Sequence, residues 1–344
     1  MKGFSEKLIA WYEQNKRDLP WRHTVEPYNV WLSEIMLQQT RVEQGLPYYN
    51  KFLLLFPTVY HLAKASEDKV LNAWKGLGYY SRASRLHATA KKIVEDNDGK
   101  FPNNFADLKK LPGVGDYTAA AIASFCFSEE VPVVDGNVYR VLSRLFHVET
   151  PMDTGGGKKK FFDLASELID KRQPDMFNQA IMEFGALQCV PKKLDCGKCP
   201  FVESCEAFYL KKTAVLPVKS RKIKRKIRYF TYLVVERNGK YLVNKRSEKG
   251  IWANMYEFPL VETKVQTESF EQLVTSKLND LPFDFKLKSA TNYKKHVLTH
   301  QDIYYTFWNV ELRGVVADHF KYYEIEQLNE MAFPKLLENF ISNI

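Results

Sequence analysis

The stretch Leu111-Pro112-Gly113-Val114-Gly115-Asp116, with the helical run Tyr117–Ile122 after it, sets the fold of the first half of this chain. Its two glycines let the backbone turn tightly and approach a ligand without interference from a Cβ atom. Asp116 is expected to be the N-cap of the helix that follows. The exposed N–H groups at the start of that helix then form an anion site. The sequence therefore predicts a turn between two helices that presents N–H groups to an anion.

Four cysteines follow in the pattern C-x6-C-x2-C-x5-C, at Cys189, Cys196, Cys199 and Cys205. Four thiolates so close together can hold one inorganic centre, either a tetrahedral zinc or a [4Fe-4S] cluster. Zinc sites usually combine two C-x2-C pairs, and this segment has one, so the spacing favours a [4Fe-4S] cluster. Two disulfides are the alternative, but they need an oxidising compartment, and no secretory segment precedes the first predicted helix. Cys126 lies in an apolar run and is interpreted as a buried hydrophobic residue.

The size and the charge of the chain limit its architecture and its partners. A chain of 344 residues is too long for one core, so two or three domains are expected. The net charge of +9 indicates a polyanionic partner. Nine of the eighteen residues from Lys211 to Arg228 are Lys or Arg, which predicts a linker that either follows a phosphate backbone or serves only as a flexible tether. No apolar run has membrane-spanning length, and a cytoplasmic, nucleoid-associated protein is expected.

The pattern of apolar residues changes after about residue 212. Helical periodicity covers the segments Ser5–Lys16, Val30–Gln44, Glu67–Ala73, Ser81–Glu95, Asp116–Cys126, Asn137–His147 and Gly157–Lys171. In the second part, Tyr229–Glu236 alternates apolar and polar residues, and the turn Asn238-Gly239 joins it to Tyr241–Lys245 as a hairpin. A helix over Glu268–Leu278 and strands over Lys286–Ala290 and Ile303–Leu312 follow. The expected fold class is multi-domain, with an all-α part and an α+β part.

Two carboxyl groups of the first half stand in different predicted environments. Glu34 lies on a helix face with Val30, Trp31 and Leu37, so burial should raise its pKa and keep a proton on it near neutral pH. Asp135 precedes a helix at Gly136, where backbone N–H groups should keep it ionised. Such a pair suits cleavage of a glycosidic bond through an oxocarbenium-like transition state. A plain N-cap and an ordinary salt-bridged helix residue are the alternative interpretations.

Several blocks together resemble the helix-hairpin-helix DNA glycosylases with an iron–sulfur cluster, the endonuclease III superfamily, and among them the adenine glycosylases of the MutY type. The resemblance covers nearly the full length. In addition to the cysteines, the blocks that carry it are Leu19–Arg22 (LPWR), Val30–Thr40 (VWLSEIMLQQT), Gly76–Ser81 (GLGYYS), Leu111–Ala119 (LPGVGDYTA), Val134–Asn137 (VDGN) and Phe177–Ala186 (FNQAIMEFGA).

The resemblance implies a domain plan. Residues 1–212 would form an α-helical catalytic region, with a six-helix module at about 26–131 and a cluster module made of 1–25 and 132–212. Residues 213–228 would be the basic linker, and residues 229–344 a Nudix-like domain that recognises 8-oxoguanine. A Nudix hydrolase needs a glutamate-rich box to bind magnesium, and no such box follows Pro259. Pyrophosphatase activity is therefore not expected.

The resemblance also implies roles for individual residues. Glu34 would protonate an adenine that has been flipped out of the duplex, and Asp135 would stabilise the sugar cation. Asn137 and Glu183 would support them. The remaining residues of the adenine pocket would be Arg17, Trp21, Arg22, Leu37 and Tyr117. Gly113, Val114 and Gly115 would grip a DNA phosphate without reading sequence.

Tyr117 separates two kinds of chemistry. Bifunctional glycosylases of this superfamily place a lysine at this position, where its amine forms a Schiff base and the strand is cut. Tyrosine has no amine, so a monofunctional enzyme that leaves an abasic site is expected. This residue, together with the extra C-terminal domain, argues against an endonuclease III-like glycosylase/lyase. A non-catalytic iron–sulfur DNA-binding protein would be expected to lack Glu34 or Asp135, and both are present.

Recognition of the mispair is expected to involve both halves of the chain. Tyr80 would wedge into the base stack and Gln39 would fill the gap or bond to the orphaned base. Leu298-Thr299-His300 aligns with the Phe-Ser-His lesion-sensing loop of the family, with Leu298 in place of the aromatic ring. The expected partner is double-stranded DNA with an 8-oxoguanine:A or G:A mispair, bound by a monomer without membrane contact. Repair or processivity proteins are further possible partners.

Overall fold

The structure, a computed structural model, describes residues 3–220, 225–267, 269, 273, 284–313 and 316–344. The chain divides into two compact units, Met1–Ala65 with Arg85–Lys222 and Ser66–Ser84 with Ile223–Ile344. The segment Ser66–Ser84 thus groups with the C-terminal residues. Apart from Ser269 and Leu273, the predicted helix Glu268–Leu278 lies outside the described residues, as do residues 221–224 of the predicted linker.

Helices make up nearly all the regular structure before residue 212. They are α1 Phe4–Asn15, α2 Pro27–Leu37, α3 Val42–Leu55, α4 Val59–Lys64, α5 Glu67–Ala73, α6 Ser81–Asn97, α7 Phe105–Leu108, α8 Asp116–Phe127, α9 Gly136–Leu145, α10 Gly155–Leu168, α11 Pro174–Leu187 and α12 Glu206–Tyr209. Single 3-10 turns lie at Pro20–Arg22, Cys196–Lys198 and Val202–Ser204. The predicted all-α part is therefore confirmed.

The predicted helix Val30–Gln44 is wrong in its extent, because two helices, α2 and α3, occupy this region. After Leu37 the backbone leaves the helical conformation, and Gln39 adopts a left-handed φ of 57°. The side-chain amide of Gln38 donates a hydrogen bond to the Thr118 hydroxyl at 3.3 Å. The break follows from this tertiary contact, since no glycine or proline marks it in the sequence.

The turn between α7 and α8 has the predicted form, with one correction. Gly113 has a φ of 75°, a conformation that side chains with a Cβ atom rarely adopt. The N-cap of α8 is Gly115 rather than Asp116. The carboxylate of Asp116 instead pairs with the Nζ of Lys109 at 2.6 Å. The helix start remains exposed at the surface, as an anion site requires.

One apolar core joins α1, α9, α10 and α11. Its largest fully buried members are aromatic, and Phe4 makes edge-on contacts with Phe146 and Phe177. Cys189, Cys199 and Cys205 pack against the same core. Because α9 and α11 run through this core, it fixes the helices that carry Asp135 and Glu183.

The C-terminal residues form an α+β fold with two sheets. Its elements are β1 Lys226–Val234, β2 Glu236–Arg237, β3 Lys240–Lys245, β4 Tyr256–Glu257, β5 Leu260–Thr263, β6 Asp284–Ala290, β7 Lys294–Val297, β8 Gln301–Arg313, β9 Phe320–Glu324, α13 Ile325–Glu330 and α14 Lys335–Ile341. The predicted turn Asn238-Gly239 joins β2 to β3, and both of its residues have positive φ.

Strand β1 lies at the centre of the larger sheet. It pairs in parallel with β8 and antiparallel with β5, while β6 and β7 pair antiparallel with β8. In the smaller sheet, β3 pairs with β2, β4 and β9. Successive side chains of β1 enter two cores, with Phe230 and Tyr232 in one and Leu233 in the other. The expected fold class, an all-α part followed by an α+β part, is confirmed.

Within the part of the chain that the structure describes, no helix combines the length and the apolar character needed to span a membrane.

Candidate active site

A cavity of about 590 Å³ in the helical unit contains every residue for which the sequence predicts a catalytic or adenine-pocket role. These residues come from five separate stretches of the first 190 residues. They are Arg17, Trp21, Arg22, Glu34, Leu37, Tyr117, Asp135, Asn137 and Glu183. The cavity is large enough to hold a base with its sugar.

Glu34 is buried on α2, with 6% of its surface exposed. Its helix neighbours Val30 and Trp31 are almost fully buried apolar residues. The hydroxyl of Tyr117 donates a hydrogen bond to Oε2 of Glu34 at 2.5 Å. Burial raises the pKa of Glu34 to about 7, despite the opposing effect of the Tyr117 hydrogen bond. The carboxyl can therefore hold a proton near neutral pH, as the sequence predicts.

Asp135 is the N-cap of α9, as predicted. Its Oδ1 accepts hydrogen bonds from the N–H groups of Asn137 and Val138, each at 2.8 Å, and its Oδ2 accepts one from the Asn137 side chain at 2.7 Å. Burial nevertheless raises the pKa of Asp135, and the hydrogen bonds oppose this effect. Burial thus raises the pKa of both carboxyls, and the expected backbone donors reach Asp135.

Glu183 of α11 accepts hydrogen bonds from two guanidinium groups. Arg17 donates from Nε and Nη2 at 2.9 and 2.7 Å, and Arg22 from Nη1 and Nη2 at 3.0 and 2.8 Å. Burial alone would raise the pKa of Glu183, but the hydrogen bonds from Arg17 and Arg22 lower it to about 2. Glu183 is therefore ionised throughout the neutral range and holds both arginines at the wall of the cavity.

Arg140 is a cavity residue that the sequence did not reveal. Its guanidinium donates to the carbonyl oxygens of Cys189 at 2.7 Å and Gly185 at 2.6 Å, and to Oδ1 of Asn137 at 2.8 Å. Arg140 thus holds the Asn137 side chain, whose amide group donates a hydrogen bond to Asp135. The only signal in the sequence was its position three residues after Asn137, on the same face of α9.

Gly185 allows α11 to approach α9 closely. A Cβ atom at this position would lie 2.6 Å from the Cβ of Asn137. Other cavity residues without a predicted role include Ser33, Thr40, Arg41, Phe125, Gln179 and Met182.

The residues predicted to contact DNA lie outside this cavity. Gly113 and Gly115 are exposed at the α7–α8 turn, and Val114 is buried beneath it. Gln39, in the break between α2 and α3, is exposed. All four belong to the helical unit.

Tyr79 and Tyr80, in the second unit, have different environments. Tyr80 is 8% exposed, accepts a hydrogen bond from the Gly76 N–H at 3.2 Å, and donates one to Glu338 at 3.4 Å. Tyr79 is 47% exposed, and its hydroxyl lies 2.6 Å from Oγ1 of Thr299. Tyr79 is therefore the exposed ring of the two, and Tyr80 is packed inside its unit.

The segment Leu298–His300 connects β7 to β8, which agrees with the predicted turn. Leu298 is half-buried and packs against the core of its unit. His300 is exposed, and its carbonyl oxygen accepts a hydrogen bond from the Lys226 N–H at 2.9 Å. In this turn His300 is exposed and Thr299 is half-buried, while Leu298 packs against the core and holds the turn in place.

Cys189, Cys196, Cys199 and Cys205 line one small cavity. Nη1 of Arg144 lies 3.5 Å from the Sγ of Cys189. Cys126 is separate from this group, and burial raises the pKa of its thiol to about 12.

The cysteine geometry bears on the type of centre. No three His, Cys, Asp or Glu side chains among the described residues are grouped closely enough to hold a single metal ion. Zinc would draw four sulfur atoms to about 2.3 Å from one ion. A [4Fe-4S] cluster instead binds each thiolate to a different iron atom. The four cysteines that line one cavity supply the four thiolates that a [4Fe-4S] cluster needs.

Two family models match the chain. Residues 32–161 match the HhH-GPD superfamily of base excision DNA repair proteins, and residues 231–343 match the NUDIX domain. Each match falls within one of the two predicted regions.

Curated relatives match over nearly the whole chain. An adenine DNA glycosylase of Buchnera aphidicola (subspecies Schizaphis graminum) is 33% identical over 98% of this chain and 97% of its own length. The adenine DNA glycosylase of Arabidopsis thaliana is 36% identical over 91% of this chain and 58% of its own length.

Solved structures resemble the helical part. A thermostable thymine-DNA glycosylase is 30% identical over 61% of this chain and 96% of its own, with a TM-score of 0.57. Endonuclease III in a complex with DNA covers 60% of this chain and 94% of its own, with a TM-score of 0.53 and 18% identity, which shows a common fold.

The Glu183 site leads to a prediction about stability. Because the pKa of Glu183 is lower in the folded chain than in the unfolded chain, its ionisation stabilises the fold above pH 4.5, and this contribution is lost as the pH falls towards 2. We expect Glu183→Gln to lower the free energy of unfolding by about 3 kcal/mol at pH 7 and by less than half as much at pH 3. Urea unfolding at both pH values measures this difference.

The control is Glu13→Gln, which removes an exposed carboxylate of α1. It should change the free energy of unfolding by less than about 0.5 kcal/mol at either pH. An equal cost of Glu183→Gln at pH 7 and pH 3 would contradict the ion-pair account.

Proposed function

This chain belongs to the adenine DNA glycosylase family, and on that basis we propose how its site removes adenine and which mispair it acts on. It is a base-excision-repair enzyme that hydrolyses the N-glycosidic bond of adenine in DNA. The proposed substrate is adenine opposite 8-oxoguanine or guanine in a duplex. The proposed product is an abasic site, without strand cleavage. The observation that supports this most strongly is the buried Glu34 carboxyl in one cavity with Asp135.

The cavity accepts the flipped adenine and its deoxyribose. Trp21 and Leu37 contribute apolar walls, and Arg17 and Arg22 contribute donors whose positions Glu183 fixes. A base and sugar that fill the cavity would displace water from the reacting bond, which would strengthen the electrostatic interactions around it.

Glu34 is the general acid. With a pKa of about 7 it is protonated in a large fraction of molecules at neutral pH, and it transfers this proton to N7 of adenine. Protonation makes the base a better leaving group, so the bond from C1′ to N9 breaks and its electrons remain on the base. The Tyr117 hydroxyl holds the Glu34 carboxyl in one orientation.

Asp135 stabilises the positive charge that develops on the sugar, either through space or as a transient covalent adduct. The hydrogen bonds from Asn137 and Val138 help to keep it ionised despite its burial. Water then adds at C1′ and leaves the abasic site. Asn137 is a positioning residue, held by Arg140.

Tyr117 supports the monofunctional assignment. A glycosylase that also cuts the strand uses an amine to form a Schiff base at C1′. The side chain at this position carries a hydroxyl that is already donated to Glu34. Lysine residues do not line the catalytic cavity within the described residues.

The four cysteines would hold a [4Fe-4S] cluster. When bound, the cluster would cross-link the segment from Cys189 to Cys205 against α9 and α11 and so present the basic loop of Lys192, Lys193 and Lys198 to a DNA backbone. The structure supports a structural role, because three of the cysteines pack on the core that carries Asp135.

DNA contact is proposed at three places. The exposed turn Gly113–Gly115 would hold a backbone phosphate, and Gln39 would lie near the orphaned base. Tyr79, rather than Tyr80, would enter the base stack, because Tyr80 is buried. One chain supplies the whole catalytic cavity, which supports a monomer as the active form.

The catalytic proposal predicts that Glu34→Gln lowers the rate of adenine release at least 100-fold, since glutamine cannot transfer the proton. Duplex binding should remain. The measurement is a single-turnover reaction on an end-labelled 8-oxoguanine:A duplex, analysed with and without alkali. Wild-type protein should give breaks only after alkali, which converts an abasic site to a break.

Glu43→Gln is the matched control, because Glu43 lines the same cavity but is exposed. It should change the rate less than about threefold. Glu34→Gln should fold well, because the raised pKa of Glu34 makes this group destabilising as the pH rises from 4.5 to about 7. Normal adenine release by Glu34→Gln would remove Glu34 from the mechanism, and breaks without alkali would contradict the monofunctional assignment.

A second prediction concerns lesion recognition. Tyr79→Phe and Thr299→Ala each remove the same 2.6 Å hydrogen bond. We expect each to reduce the preference for 8-oxoguanine:A over G:A by about three- to tenfold, and the double variant to lose no more than either one. His300→Ala should reduce the same preference. Single-turnover rates on the two duplexes measure it.

Tyr80→Phe is the control, since it removes the hydroxyl of the neighbouring tyrosine, whose partner is Glu338. Its ratio of rates should equal that of the wild type. Additive losses in the Tyr79 and Thr299 variants would show that the two side chains act separately.

A further inference from the structure

A second cavity, of about 330 Å³, lies in the helical unit and is lined largely by basic and aromatic side chains. We call it the lysine groove. Its cationic residues are Lys109, Lys158 and Lys159, and its rings are Phe105, Tyr139 and Phe162. None of these residues has a role in the proposed reaction.

The lysine groove adjoins the catalytic cavity. Tyr117 lines both cavities, and its hydroxyl is bonded to Glu34. Asp116, the first residue of α8, also lines the groove and directly follows the Gly113–Gly115 turn. Tyr117 therefore forms a wall that the catalytic cavity and the lysine groove share.

The charge of the groove suits an anion. Three lysines and one aspartate give it a charge of +2. Lys109 pairs with Asp116 at 2.6 Å, and Lys159 pairs with Asp163 at 2.7 Å, with both lysines largely exposed. Exposed pairs of this kind contribute little to stability, so these lysines can turn to a phosphate at small cost. Lys158 is exposed as well.

The rings suit a sugar-phosphate chain rather than a free inorganic ion. Phe105, Tyr139 and Phe162 are each half-buried, and their faces provide apolar contact beside the charges. Lys109 already lies over the Phe105 ring, 5.0 Å from its centre. A positively charged groove that also carries aromatic side chains is a surface typical of proteins that bind a nucleic acid strand.

We infer that the lysine groove holds the backbone, with one or two phosphates, of the strand from which adenine is removed. This inference rests on the proposed function, because a nucleotide in the catalytic cavity stays attached to its strand and the strand must continue past Tyr117. The groove thus gives this strand a second contact, in addition to the one at the Gly113–Gly115 turn. It also fixes the direction in which the strand leaves the catalytic cavity.

The test is the double variant Lys158→Ala with Lys159→Ala, bound to a duplex with a tetrahydrofuran abasic site opposite guanine, which offers no base to excise. For the wild type, the logarithm of the association constant should fall linearly with the logarithm of the salt concentration. In the double variant this slope should be smaller in magnitude by about 1.8, which is about 0.9 for each lost phosphate contact. Affinity at 0.15 M salt should fall roughly ten- to thirtyfold. Lys158→Arg with Lys159→Arg should retain the wild-type slope.

Lys91→Ala with Lys92→Ala is the matched control. These are also consecutive exposed lysines on one helix, and Lys92 pairs with Asp96 four residues later, as Lys159 does with Asp163. The Lys91→Ala with Lys92→Ala variant should leave the salt slope nearly unchanged. Removal of two positive charges anywhere on the surface would then not explain the smaller slope of the Lys158 and Lys159 variant.

Phosphate ethylation interference on each strand then locates the contact. The wild type should be sensitive to ethylation of phosphates beside the abasic site on its own strand, and the double alanine variant should lose sensitivity at one or two of them. An unchanged slope, or lost sensitivity on the opposite strand, would overturn the inference. Wild-type protein that binds this duplex but releases no adenine from a mispair would instead contradict the proposed function.

Discussion

The burial of one carboxyl group, that of Glu34, is the constraint on which the site depends. An apolar helix face and the Tyr117 hydroxyl surround this group, and burial raises its pKa to about 7. A protonated carboxyl costs far less to bury than a charged one, so the fold and the chemistry favour the same protonation state at low pH. As the pH rises from 4.5 to about 7, the fold loses stability, because the unfolded chain gives up this proton first. Above about 7, Glu34 also loses the proton that the proposed reaction requires.

Helix α9 connects the Asp135 carboxylate with the cysteine segment. Its first turn binds Asp135, Arg140 one turn later bonds to Asn137 and to the carbonyl oxygen of Cys189, and Arg144 reaches the sulfur of Cys189. A centre held by the cysteines would therefore restrain the far end of the helix that positions Asp135. The C-terminal unit has a separate task in the proposed account, because its Thr299 side chain contacts the exposed ring that would probe the duplex.

The sequence predicted the two-part fold and nine residues that the structure places around one cavity, because turn glycines, helical periodicity and the family motifs are all local signals. It did not predict the break between α2 and α3, which follows from the contact of Gln38 with Thr118 across the fold. Arg140 was missed because its partners are mostly backbone carbonyls that only the packing of α9 against α11 brings together. Periodicity could not distinguish Tyr79 from Tyr80, since adjacent residues differ only in which one the tertiary structure buries. The effect of burial on the pKa of Asp135 could not be predicted, because the local N-cap pattern shows donors but not the depth of burial.

The most direct test of the central claim is a titration of the Glu34 carboxyl itself. Carbon-13 NMR of protein labelled at glutamate side-chain carboxyls, with Glu34→Gln used to assign the signal, follows one carboxyl through the pH range. A midpoint near 7 would agree with a buried general acid that holds its proton at neutral pH. A midpoint near 4.5, the ordinary value for glutamate, would show that Glu34 is ionised at neutral pH and would contradict the account.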